Sequence, residues 1–555
     1  MRLPHRTACV VLLMSLGLWV CARANGQDSA SAAAKQAQKA ESKQEVKAAA
    51  QEGAKAIAQY VKAAGGAKAL ARIQTLSIQG QVARIGNTSG GNGANDSSND
   101  GNNAAAGEGE SNSGTYTLDT KMPNRYYSEL VVGSKRLIEA YNGKSAWHED
   151  AAGNPATMVG DDSLEAQLEA QIANTRLTDL KRNRLDVALV GHANVRGKDA
   201  LQVEMTSATH MKRELFFDAQ THLLTEEAGS GAGAAMQLYF SDYRPESGVQ
   251  VAHKIEMHRG ADAYAIEVTS VSVNQPVGER VFDLPLGSQV KLPDLKALFK
   301  ELDDNQKAID KIKENYAGTR TEEETEYDGN GGVKRHEVKE YAFFYFDGDE
   351  ISTLTKKDGK ALTDEEEQKE IEKANKQVEE IKKRQEKKDA KEEKAKEEGK
   401  GEKENEDPGI EVFLRTCQFV NPRRERFRGQ DVLVFDFEGN PEYKPRNMEE
   451  KIVQKLAGVV WVDERAHDVA RLEAYFAGDA KIVGGLLATV QKGTGFVMEQ
   501  QFMNNEVWLP TYEEAHGGVR VFMVKGFRID GVTRYSDYKK YHVEASSVVG
   551  TPKQE

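Results

Sequence analysis

Four histidines are the residues of this sequence best suited to metal binding or acid–base catalysis, and their spacing argues against both. His253 and His258 lie five residues apart on a predicted strand, which places them on opposite faces because strand side chains alternate. His210 and His222 flank another predicted strand, without a third ligand at a familiar spacing. We interpret them as surface histidines and expect no metal site.

Sequence motifs for catalysis are absent as well. The chain contains no G-x-S-x-G, no H-E-x-x-H, no P-loop and no dinucleotide-binding glycine fingerprint. Asp218 and Asp463 end two predicted strands, where a carboxylate commonly accepts hydrogen bonds from the local backbone of a turn. A catalytic pair would need a second carboxylate nearby. We therefore expect no catalytic residue, no cofactor and no enzyme activity.

Aromatic residues on predicted strands point instead to the binding of an apolar ligand. Core packing accounts for most aromatic residues in any protein, but a cavity needs only a few to be exposed. On an incompletely closed sheet such residues would line a concave interior. The predicted lining residues are Trp147, Phe216, Tyr239, Trp461, Phe476 and Trp508.

The first half of the chain alternates apolar and polar residues over short stretches, which predicts an antiparallel meander with little helix. Residues 25 to 53 form an Ala/Lys/Glu-rich segment, helical or disordered, and a short helical stripe then ends at Gly65. Residues 86 to 114 are a low-complexity loop that cannot bury enough apolar surface to be ordered. A further helix is expected from three apolar residues at four-residue spacing, Leu164, Leu168 and Ile172.

The second half repeats this plan of a helix followed by strands. An amphipathic helix is expected from Asp294, with Tyr316 on its apolar stripe and Gly318 as its end. Strands are expected to follow, among them residues 411 to 420.

Residues 363 to 407 interrupt the second half with a run of Lys and Glu. Thr363 and Glu366 form a capping box, so a helix should begin there. An apolar seam then runs through Ile371, Ala374, Val378 and Ile381. We favour a protruding charged helix without a partner over a docking arm, and we also expect coiled-coil character in this segment.

Short segments of the two halves resemble each other. Residues 197 to 203 match 429 to 435, and residues 213 to 219 match 458 to 464, each with an aspartate at the end of a strand. An internal duplication is the simplest explanation, and coincidental strand patterning is the alternative.

The N-terminus has the order of regions of a secretory signal peptide. Arg2 and Arg6 precede an apolar run that is too short to span a membrane, and an A-x-A site at residues 22 to 24 predicts cleavage after Ala24. An uncleaved anchor is the alternative, whereas a lipoprotein anchored at Cys21 is disfavoured by the bulky residues before it. The segment 1 to 24 is therefore predicted to be removed.

Composition narrows the possible partners. The 555 residues carry a net charge of −13, which disfavours nucleic-acid binding. The mature chain has no apolar run that could span a membrane, so an integral membrane protein is not expected. Cys417 would be its only cysteine, so the domains must be stabilised by their cores and not by disulfides.

The first half resembles the outer-membrane lipoprotein carrier family of the LolA and LolB type. The resemblance covers about residues 55 to 287 and rests on four segments, Gly65–Leu70 with Ile73–Gly80, Glu139–Trp147, Phe217–Leu224 and Phe282–Pro285. Residues 294 to 548 resemble the family more loosely. It implies an α+β fold, an unclosed antiparallel β half-barrel wrapped around helices, with an apolar cavity for lipid chains.

We therefore expect two tandem copies of such a half-barrel, at residues 54 to 287 and 294 to 548, the second with the charged helical insertion. The resemblance implies a periplasmic, non-catalytic binding protein for lipid or lipoprotein acyl chains, acting as carrier, chaperone or sensor in outer-membrane lipoprotein sorting. Other envelope proteins could be partners. The alternative, from a different class, is a scaffold or protein-interaction protein without a small-molecule ligand.

Overall fold

The described part of the chain forms two compact units that divide at Pro285. In this computed structural model the described residues are 33–85, 112–150, 153–209, 211–231, 234–278, 281–285, 293–327, 333–397, 408–482, 488–521 and 527–541. We call residues 33–285 the N-terminal unit and residues 293–541 the C-terminal unit. The predicted signal peptide, residues 86–111 of the low-complexity loop and residues 398–407 of the insertion lie outside the described residues.

The N-terminal unit consists of one large sheet with four described helices. The helices are α1 (Ala33–Ala63), α2 (Ala67–Leu70), α3 (Asp161–Thr175) and α4 (Leu180–Asn183). The strands are β1 (Thr75–Ile85), β2 (Ser113–Lys121), β3 (Arg125–Val132), β4 (Lys135–Tyr141), β5 (Ala146–Glu149), β6 (Pro155–Thr157), β7 (Asp186–Val195), β8 (Lys198–Thr206), β9 (Lys212–Asp218), β10 (Leu224–Gly231), β11 (Ala234–Glu246), β12 (Val249–Arg259) and β13 (Asp262–Val273).

The sheet of the N-terminal unit is antiparallel and unclosed. Its strand order is β6-β5-β4-β3-β2-β1-β13-β12-β11-β10-β9-β8-β7, so β6 and β7 are its two edges. The first and last strands pair in its middle, where Val82 lies opposite Ile266. Each half of the unit is thus a meander of sequential neighbours, joined through helices α3 and α4 between the two edge strands.

Helix α3 contacts strands from both halves of this sheet, namely β2 to β5 on one side and β10 on the other. Two alanines of α3, Ala166 and Ala170, are completely buried, and their small side chains allow the helix to approach the sheet closely. Asp161 and Asp162 in its first turn suit the positive end of the helix dipole. We call the face of the sheet that contacts α3 the inner face, and the opposite face the outer face.

The C-terminal unit also consists of one large sheet with four described helices. Its helices are α5 (Leu295–Lys313), α6 (Asp364–Glu397), α7 (Pro408–Thr416) and α8 (Met448–Val453). Its strands are β14 (Tyr316–Tyr327), β15 (Val333–Phe346), β16 (Asp349–Lys357), β17 (Lys360–Ala361), β18 (Cys417–Phe427), β19 (Gln430–Gly439), β20 (Leu456–Asp463), β21 (Asp468–Phe476), β22 (Ala480–Ile482), β23 (Ala488–Val490), β24 (Gly495–Met503), β25 (Val507–Val521) and β26 (Phe527–Lys540).

The strand order of this sheet follows that of the first one. It runs β17-β16-β15-β14-β26-β25-β24-β21-β20-β19-β18, with β22 and β23 attached beside β25. Its first strand, β14, again pairs with its last strand, β26. Helix α5 packs Leu298, Phe299 and Leu302 against the main core, and we call this the inner face of the C-terminal unit.

The two aspartates that end strands serve turns, as the sequence predicted. Asp218 Oδ1 accepts hydrogen bonds from the backbone N–H groups of Gln220 and Thr221, at 2.9 and 2.7 Å. Asp463 Oδ1 accepts the same pair of bonds from Arg465 and Ala466, both at 2.9 Å. Both carboxylates therefore stabilise the turn that follows their strand.

The first half of helix α6 packs against the C-terminal sheet, so the interpretation of the charged insertion as a protruding helix without a partner is wrong for that half. Its capping box forms as expected, since Thr363 N–H donates to Glu366 Oε2 at 3.0 Å. Its apolar seam packs against the C-terminal sheet, where Ala374 and Ile381 bury themselves against Ile351 of β16. The seam is long enough to cover one strand. The apolar surface that this contact removes from water stabilises the packed position of the helix.

Three other local expectations are wrong. Tyr316 begins strand β14 instead of lying on the helix, and Gly318 lies within that strand instead of ending the helix. A glycine suits this position because a Cβ there would lie 2.9 Å from the Ser536 carbonyl oxygen. Residues 411 to 416 belong to helix α7, and only Cys417 begins a strand. Residues 113 and 114 of the predicted loop already pair in β2.

A candidate ligand-binding cavity

A cavity of about 110 Å³ lies between helix α3 and the inner face of the N-terminal sheet. Its walls come from strands β2, β3, β4, β10, β11 and β12 together with α3. Its apolar lining includes Leu118, Leu130, Leu137, Leu238, Ile255 and Met257. The cavity is therefore lined by strands from both meanders of the sheet.

Strand register explains why these side chains converge. Tyr116 lies opposite Leu130, and Leu130 lies opposite Leu137 on the next strand. On the other side of the cavity Leu238 lies opposite Met257. Directly opposed residues of antiparallel strands point to the same face, so the alternation of each strand presents one apolar row to α3.

The apolar lining is incompletely covered. Leu130 is 2% exposed, but Leu118, Leu137, Leu238, Ile255 and Met257 are only half-buried. The lining thus combines a buried floor with apolar walls that solvent still reaches. Exposed apolar surface of this kind commonly marks a place where an apolar group binds.

One end of the cavity is strongly polar. Glu139, Glu169, Glu227 and Arg259 all line it. Behind them lies Arg213, whose side chain is completely buried. Gly229 makes room for it, because a Cβ at that position would come within 2.6 Å of Arg213 Nη1.

Arg213 forms ion pairs with three glutamates, and we call these four residues together with Glu139 and Arg259 the cluster. Its Nη2 lies 3.1 Å from Glu165 Oε2 and 3.5 Å from Glu169 Oε2, and its Nε lies 3.4 Å from Glu227 Oε1. Of these contacts the first is a hydrogen bond. Glu139 Oε2 lies 3.9 Å from Arg259 Nη2.

The electrostatics of the cluster favour proton uptake. Burial raises the pKa of Glu227 from 4.5 to about 8, and the negative charge of Glu169 adds to the shift while Arg213 opposes it. Burial likewise raises the pKa of Glu139 to about 7, against the opposing charge of Arg259. Near neutral pH these two carboxyl groups therefore carry protons for much of the time.

The three aromatic residues predicted to line a cavity in the N-terminal unit lie on its outer face. Tyr239 sits between Leu238 and Phe240, which both line the cavity, so its ring points away from it. Trp147 lies opposite Ala140, the neighbour of Glu139, and its Nε1–H donates to the Phe282 carbonyl oxygen at 2.9 Å.

Phe216 shares the outer face with Tyr239. It sits between Leu215 and Phe217, which pack into the core on the inner side, and it forms a small cluster with Tyr239 instead. The guanidinium of Arg196 covers the ring of Tyr239 at 3.8 Å. The structure thus brings Phe216 and Tyr239 together, but on the opposite face from the cavity described above.

In the C-terminal unit the three predicted residues lie on different faces of the sheet. Trp461 and Trp508 lie on the outer face, each between two residues that pack towards α5, and the ring of Phe427 lies 6.3 and 6.5 Å from theirs. Trp508 Nε1–H donates to Asp463 Oδ2 at 3.1 Å. Phe476 alone lies on the inner face, where it is part of the main core.

The sequence-based choice of lining residues missed the cavity because it relied on aromatic residue type. The alternation of side chains between the two faces of a strand decides which residues reach the cavity. A usable signal was present, namely a charged residue placed within an inner-face row of apolar residues. Glu139 follows Leu137 by two positions, and Arg213 precedes Leu215 by two. A charge at such a position is costly to bury and marks a polar group inside the fold.

The histidines need one correction. His253 is buried, because it shares the inner face with Val251 and Ile255, and its Nε2 lies 3.1 Å from Glu246 Oε1. The expectation of a surface position is therefore wrong for His253. Among the described residues no group of three or more His, Cys, Asp or Glu side chains could hold a metal ion.

Comparison with known proteins finds similar structures only. No family model matches the chain, and no curated protein matches it. A DUF1329 family protein from Desulfovibrio piger is 12% identical, with 41% of this chain and 95% of that chain covered and a TM-score of 0.26. A putative outer membrane lipoprotein-sorting protein domain from Vibrio parahaemolyticus is 11% identical, with 42% and 97% covered and a TM-score of 0.26.

A LolA superfamily protein from Nitrosomonas europaea is 9% identical, with 41% of this chain and 97% of that chain covered and a TM-score of 0.26. None of the described helices is long and apolar enough to cross a membrane. The solved structures found in this comparison thus include a member of the LolA superfamily, which the first half of the sequence resembles.

Proposed function

We propose that this protein is an exported, non-catalytic binding protein that holds an acyl chain of a lipid or lipoprotein in the cavity of its N-terminal unit. It acts as a carrier, chaperone or sensor in the periplasm. The observation that carries the proposal is the row of half-buried apolar side chains around the cavity, on the inner face of an unclosed sheet.

The half-buried apolar walls of the cavity favour an apolar ligand. An apolar group that enters the cavity removes this surface from water, which stabilises the complex by ~25 cal/mol per Å². The driving force is therefore non-directional, which suits an acyl chain better than a polar substrate.

The cavity must widen to hold a whole chain. Pockets for drug-sized ligands measure ~300 to 1,000 Å³, so about 110 Å³ accommodates only a part of a long chain. Met236 and Met257 line the cavity, and unbranched methionine side chains can change rotamer at little cost. Movement of these side chains and of α3 would extend the cavity along the half-buried row.

The two units are proposed to be tandem copies of one half-barrel wrapped around helices. The shared strand order and the matching turns at Asp218 and Asp463 support a duplication. The copies have diverged inside, since Phe435 and Phe437 fill the inner face of the C-terminal unit. We therefore assign the ligand to the N-terminal unit.

Two neighbouring residues on β11 provide the test. Leu238→Arg places a charge in the cavity, whereas Gln237→Arg places the same charge on the exposed outer face of the same strand. Delipidated protein is titrated with a fluorescent fatty acid. We expect Leu238→Arg to weaken binding at least tenfold and Gln237→Arg to leave it unchanged.

Equal binding by both variants would refute the cavity as the binding site. Absence of saturable binding by the folded wild-type protein would refute the proposed function and leave the scaffold alternative, with other envelope proteins as partners. Intact mass of the secreted protein tests the proposed export, because cleavage after Ala24 leaves a chain that begins at Asn25.

A further inference from the structure

The polar end of the cavity holds more negative than positive groups. Four carboxylates, those of Glu139, Glu165, Glu169 and Glu227, are paired with two guanidinium groups, those of Arg213 and Arg259. An excess of buried negative charge is costly unless a proton or a cation compensates it. Without bound protons the cluster therefore carries two more negative than positive charges where it meets the cavity.

Two carboxylate oxygens of this cluster also lack a hydrogen-bond donor. Glu227 is 4% exposed and lines the cavity, and its Oε1 accepts no hydrogen bond from the described part of the chain. The same holds for Glu169 Oε2. Arg213 lies 3.4 and 3.5 Å from these two atoms, so it offers them charge without a hydrogen bond. A buried acceptor without a donor costs about 1 to 3 kcal/mol.

We propose that the polar end of the cavity binds a primary ammonium group, so that the ligand is an amine-bearing amphiphile. This inference rests on the proposed function, because it assumes that the cavity takes the ligand's chain. An ammonium group carries three N–H donors and one positive charge. It therefore supplies both the hydrogen-bond donors and the positive charge that the carboxylates of the cluster lack. The apolar walls at Leu238 and Met257 then take the chain.

The titration behaviour of the cluster agrees with this assignment. Burial and the charge of Glu169 raise the pKa of Glu227 to about 8, which means that the cluster recruits protons when no other cation is present. A carboxylate or phosphate headgroup would add to the existing excess of negative charge and is disfavoured. A neutral alcohol can donate one hydrogen bond but supplies no charge.

Three ligands with the same chain length distinguish the contribution of the headgroup to binding from that of the chain. Dodecylamine, dodecanol and dodecanoate are titrated into delipidated full-length protein at pH 7.5 by calorimetry. We expect dodecylamine to bind at least ten times more tightly than dodecanol, and dodecanoate to bind most weakly. Equal affinity for the amine and the alcohol would overturn the ammonium site and leave the proposed function intact.

Two variants locate the effect within the cluster. Glu227→Gln keeps the size of the side chain and removes its charge, so the preference for dodecylamine over dodecanol should fall to less than threefold. Glu139→Gln should reduce the preference in the same direction and serves if the first variant does not fold. Glu267→Gln is the matched control, because Glu267 is 72% exposed on strand β13 and does not line the cavity. A preference that survives in both cavity variants would overturn the assignment. Failure of all three ligands to bind the wild-type protein would instead refute the proposed function.

Discussion

Arg213 supplies the central positive charge of the cavity cluster, and its replacement by methionine is the most informative perturbation of the N-terminal unit. Methionine keeps a long, flexible apolar side chain in a completely buried position and removes only the guanidinium. Glu165, Glu169 and Glu227 then lose the cation that lies within 3.5 Å of each.

The expected loss is large because the remaining charges stay buried. Removal of one partner from a buried ion pair costs about 3 to 5 kcal/mol. Since about 1.4 kcal/mol corresponds to a factor of ten, the opening equilibrium of the N-terminal unit should rise between about 100-fold and a few thousand-fold. The loss should be smaller at pH 5 than at pH 8, because protonated glutamates do not need the arginine.

Hydrogen exchange followed by mass spectrometry measures this change within the full-length chain. Peptides from β8 to β10 should exchange faster in Arg213→Met, while peptides from β19 to β21 in the C-terminal unit serve as an internal reference. Arg244→Met is the matched control, because Arg244 is 55% exposed and pairs only at the surface with Asp242. Equal protection in the two variants at both pH values would refute the assignment of a buried charge cluster.

Three further predictions concern Glu227, Cys417 and helix α6. Folded wild-type protein should become less stable as the pH rises from about 5 to 9, because the raised pKa of Glu227, about 8 against 4.5, makes the folded state hold a proton that the unfolded state releases; Glu227→Gln should flatten the dependence of Tm on pH, and an unchanged slope would contradict this. Burial raises the pKa of Cys417 to about 12, so iodoacetamide should label it only in urea, and rapid labelling of the native protein would show that the thiol is accessible. Ala374→Asp should detach helix α6 and expose it to protease, whereas Ala390→Asp, on an exposed part of the same helix, should not; equal cleavage of both would show that the apolar seam does not hold the helix.

Local patterns in the sequence predicted elements whose stability is itself local. The capping box at Thr363 and Glu366 and the turns after Asp218 and Asp463 formed as expected, because each depends on hydrogen bonds between residues close in the chain. The helix around Leu164, Leu168 and Ile172 formed for a similar reason, since its apolar stripe has helical spacing.

Elements with an ambiguous pattern depended on their partners. Residues 411 to 416 have apolar residues that suit either a strand or a helix, and packing within the C-terminal core selected the helix α7. Tyr316 continued the helical spacing of α5, but pairing with β26 made it the first residue of a strand. Such competition is decided by contacts between distant residues, which local periodicity does not contain.

The sequence by itself determined that strands dominate and that the catalytic motifs named above are absent. Only the tertiary structure decided which face of each strand meets α3. A shift of one residue moves a side chain to the opposite face of a sheet, so Tyr239 points outward while its neighbours Leu238 and Phe240 line the cavity. The charge cluster around Arg213 depends in the same way on the folded chain, because its glutamates come from α3 and β10 and meet Arg213 only when α3 packs against the sheet.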